Sequence, residues 1–215
     1  MTKVYPNGTA AISSDATNRL INGNATTVLT VWKKSLLFNC NGYTVYDAKG
    51  NLVFRVDNYI KANKGEMLLM DATGKPLLTI RRKRLSLGDN WLVYEGETAV
   101  NPRYLVRKNV NILNTKSLAH VSRPATAGSS SAAAANNNKN VIMYEMEGSY
   151  AQRCCCVYDE KRRRVAEMKP KESVGGVTLG GDVLVLVIQP EMDAALAMAF
   201  LILLDQMFGS SKRLS

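Results

Sequence analysis

The sequence predicts a mainly β fold: a closed antiparallel β-barrel of about twelve strands enclosing a central hydrophobic C-terminal α-helix. Three observations predict it. The stretch Met192–Phe208 (MDAALAMAFLILLDQMF) is helical in composition and apolar on every side, as helices buried in a core or a membrane are. Almost nothing before it has helical periodicity; short β-type runs follow one another between turn residues. A turn pattern of Asp followed by Gly recurs between those runs, which marks antiparallel hairpins.

The runs are Thr27–Lys33, Tyr43–Tyr46, Leu52–Tyr59, Glu66–Met70, Leu77–Arg82, Trp91–Glu95, Arg103–Lys108, Lys116–Val121, Val141–Glu147, Tyr150–Tyr158, Arg164–Lys169 and Val183–Gln189. Alternation supports them: Leu52, Phe54 and Val56 fall on one face, Val53, Arg55 and Asp57 on the other. Val183–Ile188 is apolar on both faces, so both are expected to be covered. Asp47 with Gly50 and Asp71 with Gly74 form two copies of the turn; the third pairs Asp159 with Arg162, so either that loop differs or Arg162 carries a small strain. Ser122–Asn140 is of low complexity and reads as a loop insertion, because strand pattern resumes after it, with an interdomain linker as the alternative.

The helix is read as a core element rather than a membrane span. Its uncharged run, Ala194–Leu204, is eleven residues, whereas a span needs about twenty. Asp193 and Asp205 would also lie at hydrocarbon depth, at a cost. A barrel of about twelve strands has a lumen wider than one of eight, which its own side chains fill, and a helix is about 10–12 Å across. Threading one through the other buries the helix and leaves no strand edge open. Pro190 ends the last strand, and Asp193 sits near the helix start, where a carboxylate is favoured. Asp205 lies at the unfavourable end and needs a hydrogen-bond partner or water. The organisation expected is a polar N-terminal segment 1–26, one barrel domain 27–208 and a tail 209–215.

Composition narrows the function classes. No apolar h-region appears in the first 24 residues, so a signal peptide is not expected and the sequons at Asn7 and Asn24 carry no weight. Cys154, Cys155 and Cys156 are consecutive, with Cys40 the fourth; this is no ordinary disulfide framework and points to a reducing, cytoplasmic compartment. The formal net charge is +10, which favours anionic partners.

Specific motifs then resemble a known family. Leu29-Thr30-Val31-Trp32-Lys33-Lys34-Ser35, Asn41–Asp47 (NGYTVYD), Gly50–Tyr59 (GNLVFRVDNY), Leu179–Val183 (LGGDV), Gln189-Pro190 and Asp193-Ala194-Ala195 through Leu204-Asp205-Gln206 look like the plant LURP-one-related proteins, from about Thr27 to Phe208. That family is similar to the tubby C-terminal domain and the phospholipid scramblases. The resemblance implies a twelve-stranded barrel around a central helix, links to plant defence, and kinship with membrane-tethered transcription regulators. It brings no catalytic residues.

No enzyme, cofactor or metal site is expected. His120 is the sole histidine and reads as a surface residue beside the low-complexity loop. Three adjacent cysteines alternate faces on a strand and do not converge on a metal, at least one pointing inward; packing is favoured over acylation. Gly175–Gly181 lacks the Gly-Lys-Ser/Thr of a P-loop, and no acidic calcium loop of scramblase type is evident. The binding candidates are two basic tetrads at strand ends: Arg81, Arg82, Lys83 and Arg84, and Lys161, Arg162, Arg163 and Arg164. Two clusters on one rim would bind phosphoinositide headgroups or phosphates. The expected partner is anionic membrane lipid or a protein, at the peripheral plasma membrane or in the nucleus if not free in the cytoplasm. Nucleic acid is the alternative, against which no aromatic residue interleaves with the tetrads and no helix is free for a groove. A ligand-carrying barrel ranks lower, because the helix occupies the lumen.

Overall fold

The computed structural model describes residues 25–34, 41–58, 65–83, 86, 88–98, 100–109, 116–124, 141–172 and 181–209. These residues form twelve strands and one helix: β1 (Thr27–Trp32), β2 (Asn41–Tyr46), β3 (Leu52–Asn58), β4 (Glu66–Asp71), β5 (Pro76–Arg82), β6 (Asn90–Glu95), β7 (Tyr104–Lys108), β8 (Ser117–Ser122), β9 (Ile142–Ser149), β10 (Cys154–Asp159), β11 (Arg164–Pro170), β12 (Val183–Ile188) and α1 (Ala194–Phe208). Each strand pairs antiparallel with its sequence neighbours, and β12 closes on β1 with Leu29 opposite Leu186 and Val31 opposite Leu184. The expected closed barrel is therefore present. The N-terminal 24 residues, Cys40, Arg84, the insertion from 125 to 140, the 173–180 part of the glycine-rich turn and the tail beyond 209 lie outside the described residues.

Alternation decides the lining. Leu29, Val31, Val45, Phe54, Val56, Leu69, Ile80, Val93, Val106 and Met146 are fully buried and surround α1. Of the helix residues, only Gln206 and Phe208 are not buried. Asp193 caps the helix: its side chain accepts the Leu196 N–H at 2.7 Å, the arrangement preferred at helix starts. Tyr144 packs edge-on against Phe200, ring centroids 5.5 Å apart, and joins the wall to the plug. No helix among the described residues is long and apolar enough to cross a membrane.

Two details differ from expectation, and a third decides between two alternatives. The run Tyr150–Tyr158 is not one strand: residues 150–153 form a turn in which Tyr150 C=O accepts the Arg153 N–H at 3.0 Å and Arg153 adopts φ 59°. Polar Ser149 and Gln152, bonded to each other, favour that turn over continued pairing. On β12 the outer residues Val183, Val185 and Val187 are only half-buried, so the second face is not fully covered. The third Asp turn does not differ from the other two. Asp47, Asp71 and Asp159 each accept the N–H three residues on at 2.9–3.1 Å, with φ of 84° at Gly50, 93° at Gly74 and 60° at Arg162. Arg162 thus bears the left-handed strain, about 1–2 kcal/mol. Its guanidinium is held by Glu145 at 2.8 Å and Glu147 at 2.9 Å.

Candidate functional site

The direction of the strands divides the barrel into two mouths. Odd-numbered strands end at one, which also receives the C-terminus of α1; even-numbered strands end at the other, where α1 enters after β12. Arg81 and Arg82 close β5, and Lys83 follows them at the exit mouth. Lys161–Arg163 occupies the β10–β11 turn at the entry mouth, and Arg164 opens β11. The two tetrads do not share a rim: successive strands of a meander reverse direction, and an odd and an even strand end at opposite mouths.

The clusters are also largely neutralised by neighbours. Arg81 Nε lies 2.9 Å from Glu66, and Arg82 Nε 3.1 Å from Asp89. At the entry mouth Arg162 meets Glu145 and Glu147, Arg163 meets Asp159 at 2.6 Å, and Arg164 meets Glu167 at 3.4 Å. Lys83 and Lys161 are exposed. Exposed pairs of this kind contribute little to stability, so an anion can compete for their arginines.

Sequence reading anticipated that Asp205 needs a partner but not which. Its carboxylate is buried at the exit mouth and takes four donors from three distant parts of the chain. Lys33, just past β1, lies 2.7 Å away; Tyr43 of β2 and Tyr150 of the β9–β10 turn donate their hydroxyls; Arg153 approaches to 3.5 Å and also donates to the Tyr150 hydroxyl. The last turn of α1 has no basic residue of its own. The wall supplies the cations that a helix C-terminus favours: besides Lys33 and Arg153, Lys108 of β7 donates to Met207 C=O at 2.6 Å and sits 4.3 Å from the Phe208 ring centroid. A Cβ at Gly209 would lie 2.8 Å from Asp205 Oδ1, so glycine keeps room for the carboxylate.

Burial pushes the Asp205 carboxyl up, but the hydrogen bonds from Lys33, Tyr150 and Tyr43 outweigh it and leave it below its ordinary value. Burial first, then the Asp205 charge and its hydrogen bond, push both Tyr43 and Tyr150 up. These shifts give opposite pH dependences. The Asp205 contribution is present above its unfolded value, about 3.9, and is lost as pH falls through the lower folded value. The tyrosine contributions are present below about 10 and are lost as pH rises toward their raised folded values. In urea unfolding at a series of pH values, the stability advantage of the natural protein over Asp205→Asn is expected to shrink below about pH 4. An advantage independent of pH in acid would show that Asp205 is not held charged.

Catalytic geometry is not assembled at His120. It is a half-buried β8 residue rather than a free surface histidine, and its Nε2 lies 3.2 Å from Ser117 Oγ and 3.1 Å from Glu145 Oε1. A relay uses opposite ring nitrogens for nucleophile and carboxylate; here one nitrogen faces both, and Ser117 itself donates to Glu145 at 2.8 Å. The cysteines alternate as expected: Cys154 is exposed, Cys156 half-buried, and Cys155 points inward, its thiol pushed up to about 12, chiefly by burial. That disfavours the thiolate on which cysteine chemistry depends.

A closed meander of twelve strands, its lumen filled by its own C-terminal helix, defines the class as a helix-plugged antiparallel barrel. The chain belongs to the LURP-one-related family, whose profile matches residues 27–205. It is 51% identical to the protein LURP-one-related 8 of Arabidopsis thaliana, over 98% of this chain and all of that one. It is 42% identical to LURP-one-related 17 of the same plant, covering 87% of this chain and 86% of the relative. An X-ray structure of an Arabidopsis thaliana protein shares the fold, with a TM-score of 0.62 at 20% identity over 86% of this chain and 93% of that one.

Proposed function

We propose that the protein is a non-enzymatic binding module that engages anionic phospholipid through its outer surface. The observation that carries this reading is the filled lumen: α1 packs against the inner wall from Leu29 to Ile188, where a carrier would keep its cavity. Recognition then falls to the exterior of a chain whose formal net charge is +10. Phosphoinositides fit the basic mouths as multiply charged headgroups. A regulatory role in plant defence, and kinship with tubby-like and scramblase proteins, rest on the family resemblance alone. A protein partner or nucleic acid is the competing reading of the same charge.

Vesicle sedimentation beside nucleic-acid gel shifts tests it. The protein is expected to sediment with phosphatidylcholine vesicles containing phosphatidylserine or phosphoinositide in low salt, and to be released in high salt. Pure phosphatidylcholine should leave it in solution, and DNA and RNA should not shift. Because a planar bilayer touches only part of the outer surface at a time, neutral replacements of Arg81–Arg84 and of Lys161–Arg164 should weaken binding unequally. Undiminished binding of both variants in low salt would sink the basic clusters as the contact. No sedimentation with acidic vesicles would sink the lipid reading itself.

A further inference from the structure

Sheet register brings together an apolar stripe that no single segment shows. On β1, Leu29 and Val31 point into the barrel, so Val28, Thr30 and Trp32 point out; Val28 and Trp32 are each 45% exposed. On β12, Leu184, Leu186 and Ile188 point in, and Val183, Val185 and Val187 point out, half-exposed. Pairing sets Val28 beside Val187, Thr30 beside Val185 and Trp32 beside Val183. The result is a continuous outer stripe about 13 Å long, at about 3.3 Å per residue. Scattered exposed apolar residues are normal, but contiguous patches mark contact surfaces.

Lysines border the stripe. Lys169 of β11 lies beside Val185, and Glu167 beside Val187. Lys171 donates to the Thr30 hydroxyl at 3.1 Å, and Lys34 sits 5.7 Å from the Trp32 ring centroid. The described carboxylates nearest by register are Glu167, which Arg164 holds at 3.4 Å, Asp182 in the turn before β12, and the exposed Glu172 that follows Lys171. The stripe is thus apolar at both ends, crossed at its middle by the Lys171 ammonium on Thr30, and accompanied by Lys34 and Lys169.

The fold narrows the occupant. Adding a peptide strand needs an open sheet edge, and the barrel closes at this very β1–β12 pair. An amphipathic peptide helix needs a groove, whereas the outside of a barrel is convex. A second copy placed by two-fold symmetry would set the flanking lysines against their own kind. A planar anionic surface meets none of these objections: tryptophan partitions to headgroup depth and lysines reach lipid charge around it.

Building on the lipid reading above, we infer that the outer face of β1 and β12 is where the barrel lies side-on against an anionic bilayer. Trp32 and the valines enter the interface, and Lys34, Lys169 and Lys171 face the headgroups. The exit-mouth cluster Arg81–Lys83, four strands away on β5, is turned from the surface.

The test uses the full chain and vesicles of phosphatidylcholine with phosphatidylserine, some with brominated acyl chains. Trp32 is exposed while Trp91 is 3% exposed in the core, so bromine should quench part of the tryptophan emission, and Trp32→Phe should abolish that quenching. The paired reversal Lys169→Glu and Lys171→Glu should weaken sedimentation about tenfold or more. The same charge change on the far side, Lys75→Glu with Arg107→Glu, should weaken it much less. Thermal unfolding of each variant checks that the barrel is intact. If the natural protein binds acidic vesicles but Trp32 is unquenched, or if the two reversals act alike, this face is wrong while the lipid reading stands. If it stays in the supernatant with Trp32 emission unchanged, the lipid reading falls and this inference with it; a protein partner for the stripe would give that result.

Discussion

Truncation of the chain before Met192 is expected to leave insoluble, unfolded protein, not a soluble barrel freed from a membrane anchor. Met192, Leu196, Met198, Phe200, Leu201, Ile202, Leu203, Leu204 and Met207 are all buried, and each contributes about 1.5–3 kcal/mol by leaving water. Their loss exceeds the net stability of a typical domain, about 5–15 kcal/mol. The deletion also strips the inner wall of its partner, leaving side chains such as Phe54, Leu69 and Ile80 around a void too wide for them to fill. Expression in inclusion bodies, with no near-ultraviolet circular dichroism after refolding, is the expected outcome. A soluble monomer with a cooperative thermal transition would show that the barrel stands without its plug.

The second large effect is expected from Asp205→Ala. Lys33, Tyr43, Tyr150 and Arg153 all converge on this one carboxylate. Its removal leaves the buried Tyr43 hydroxyl and the half-buried cations without their acceptor. Unsatisfied buried groups cost about 1–3 kcal/mol each, and breaking a buried ion pair about 3–5 kcal/mol. Lys33 and Arg153 can swing toward solvent, so a loss of about 3 kcal/mol is expected, read as a fall in Tm of about 6–12 °C. Lys33→Ala should cost less, because three donors remain. Equal Tm values for Asp205→Ala and the natural protein would show that the cluster does not hold the exit mouth.

Much of the fold is legible in local pattern. Phe54 and Val56 alternate with Arg55 and Asp57 because a strand has a period of two; Phe54 and Val56 join the core, while Arg55 lies 3.7 Å from an Asp57 that is itself buried. The uniform apolarity of α1 likewise states its burial without any contact being known. Strand ends are less legible: Tyr150–Arg153 contains neither Gly nor Pro to mark a turn, and the left-handed Arg153 reveals it. The candidate site is the least legible part. The tetrads are visible as runs, but the acids that neutralise them, such as Glu66 for Arg81 and Glu145 for Arg162, come from neighbouring strands.

The sequence by itself determined the order of the strands, the buried helix and the need of Asp205 for a partner, because each depends on residues close along the chain. It also implied that the tetrads end at opposite mouths, once a meander is granted and strands are counted. Tertiary structure alone decided the rest. Lys33 meets Asp205 across 172 positions, and the stripe from Val28 to Trp32 exists only because β12 returns to pair with β1 in one register. Register is set by burying every inward side chain at once, and that condition belongs to the whole barrel rather than to any segment of it.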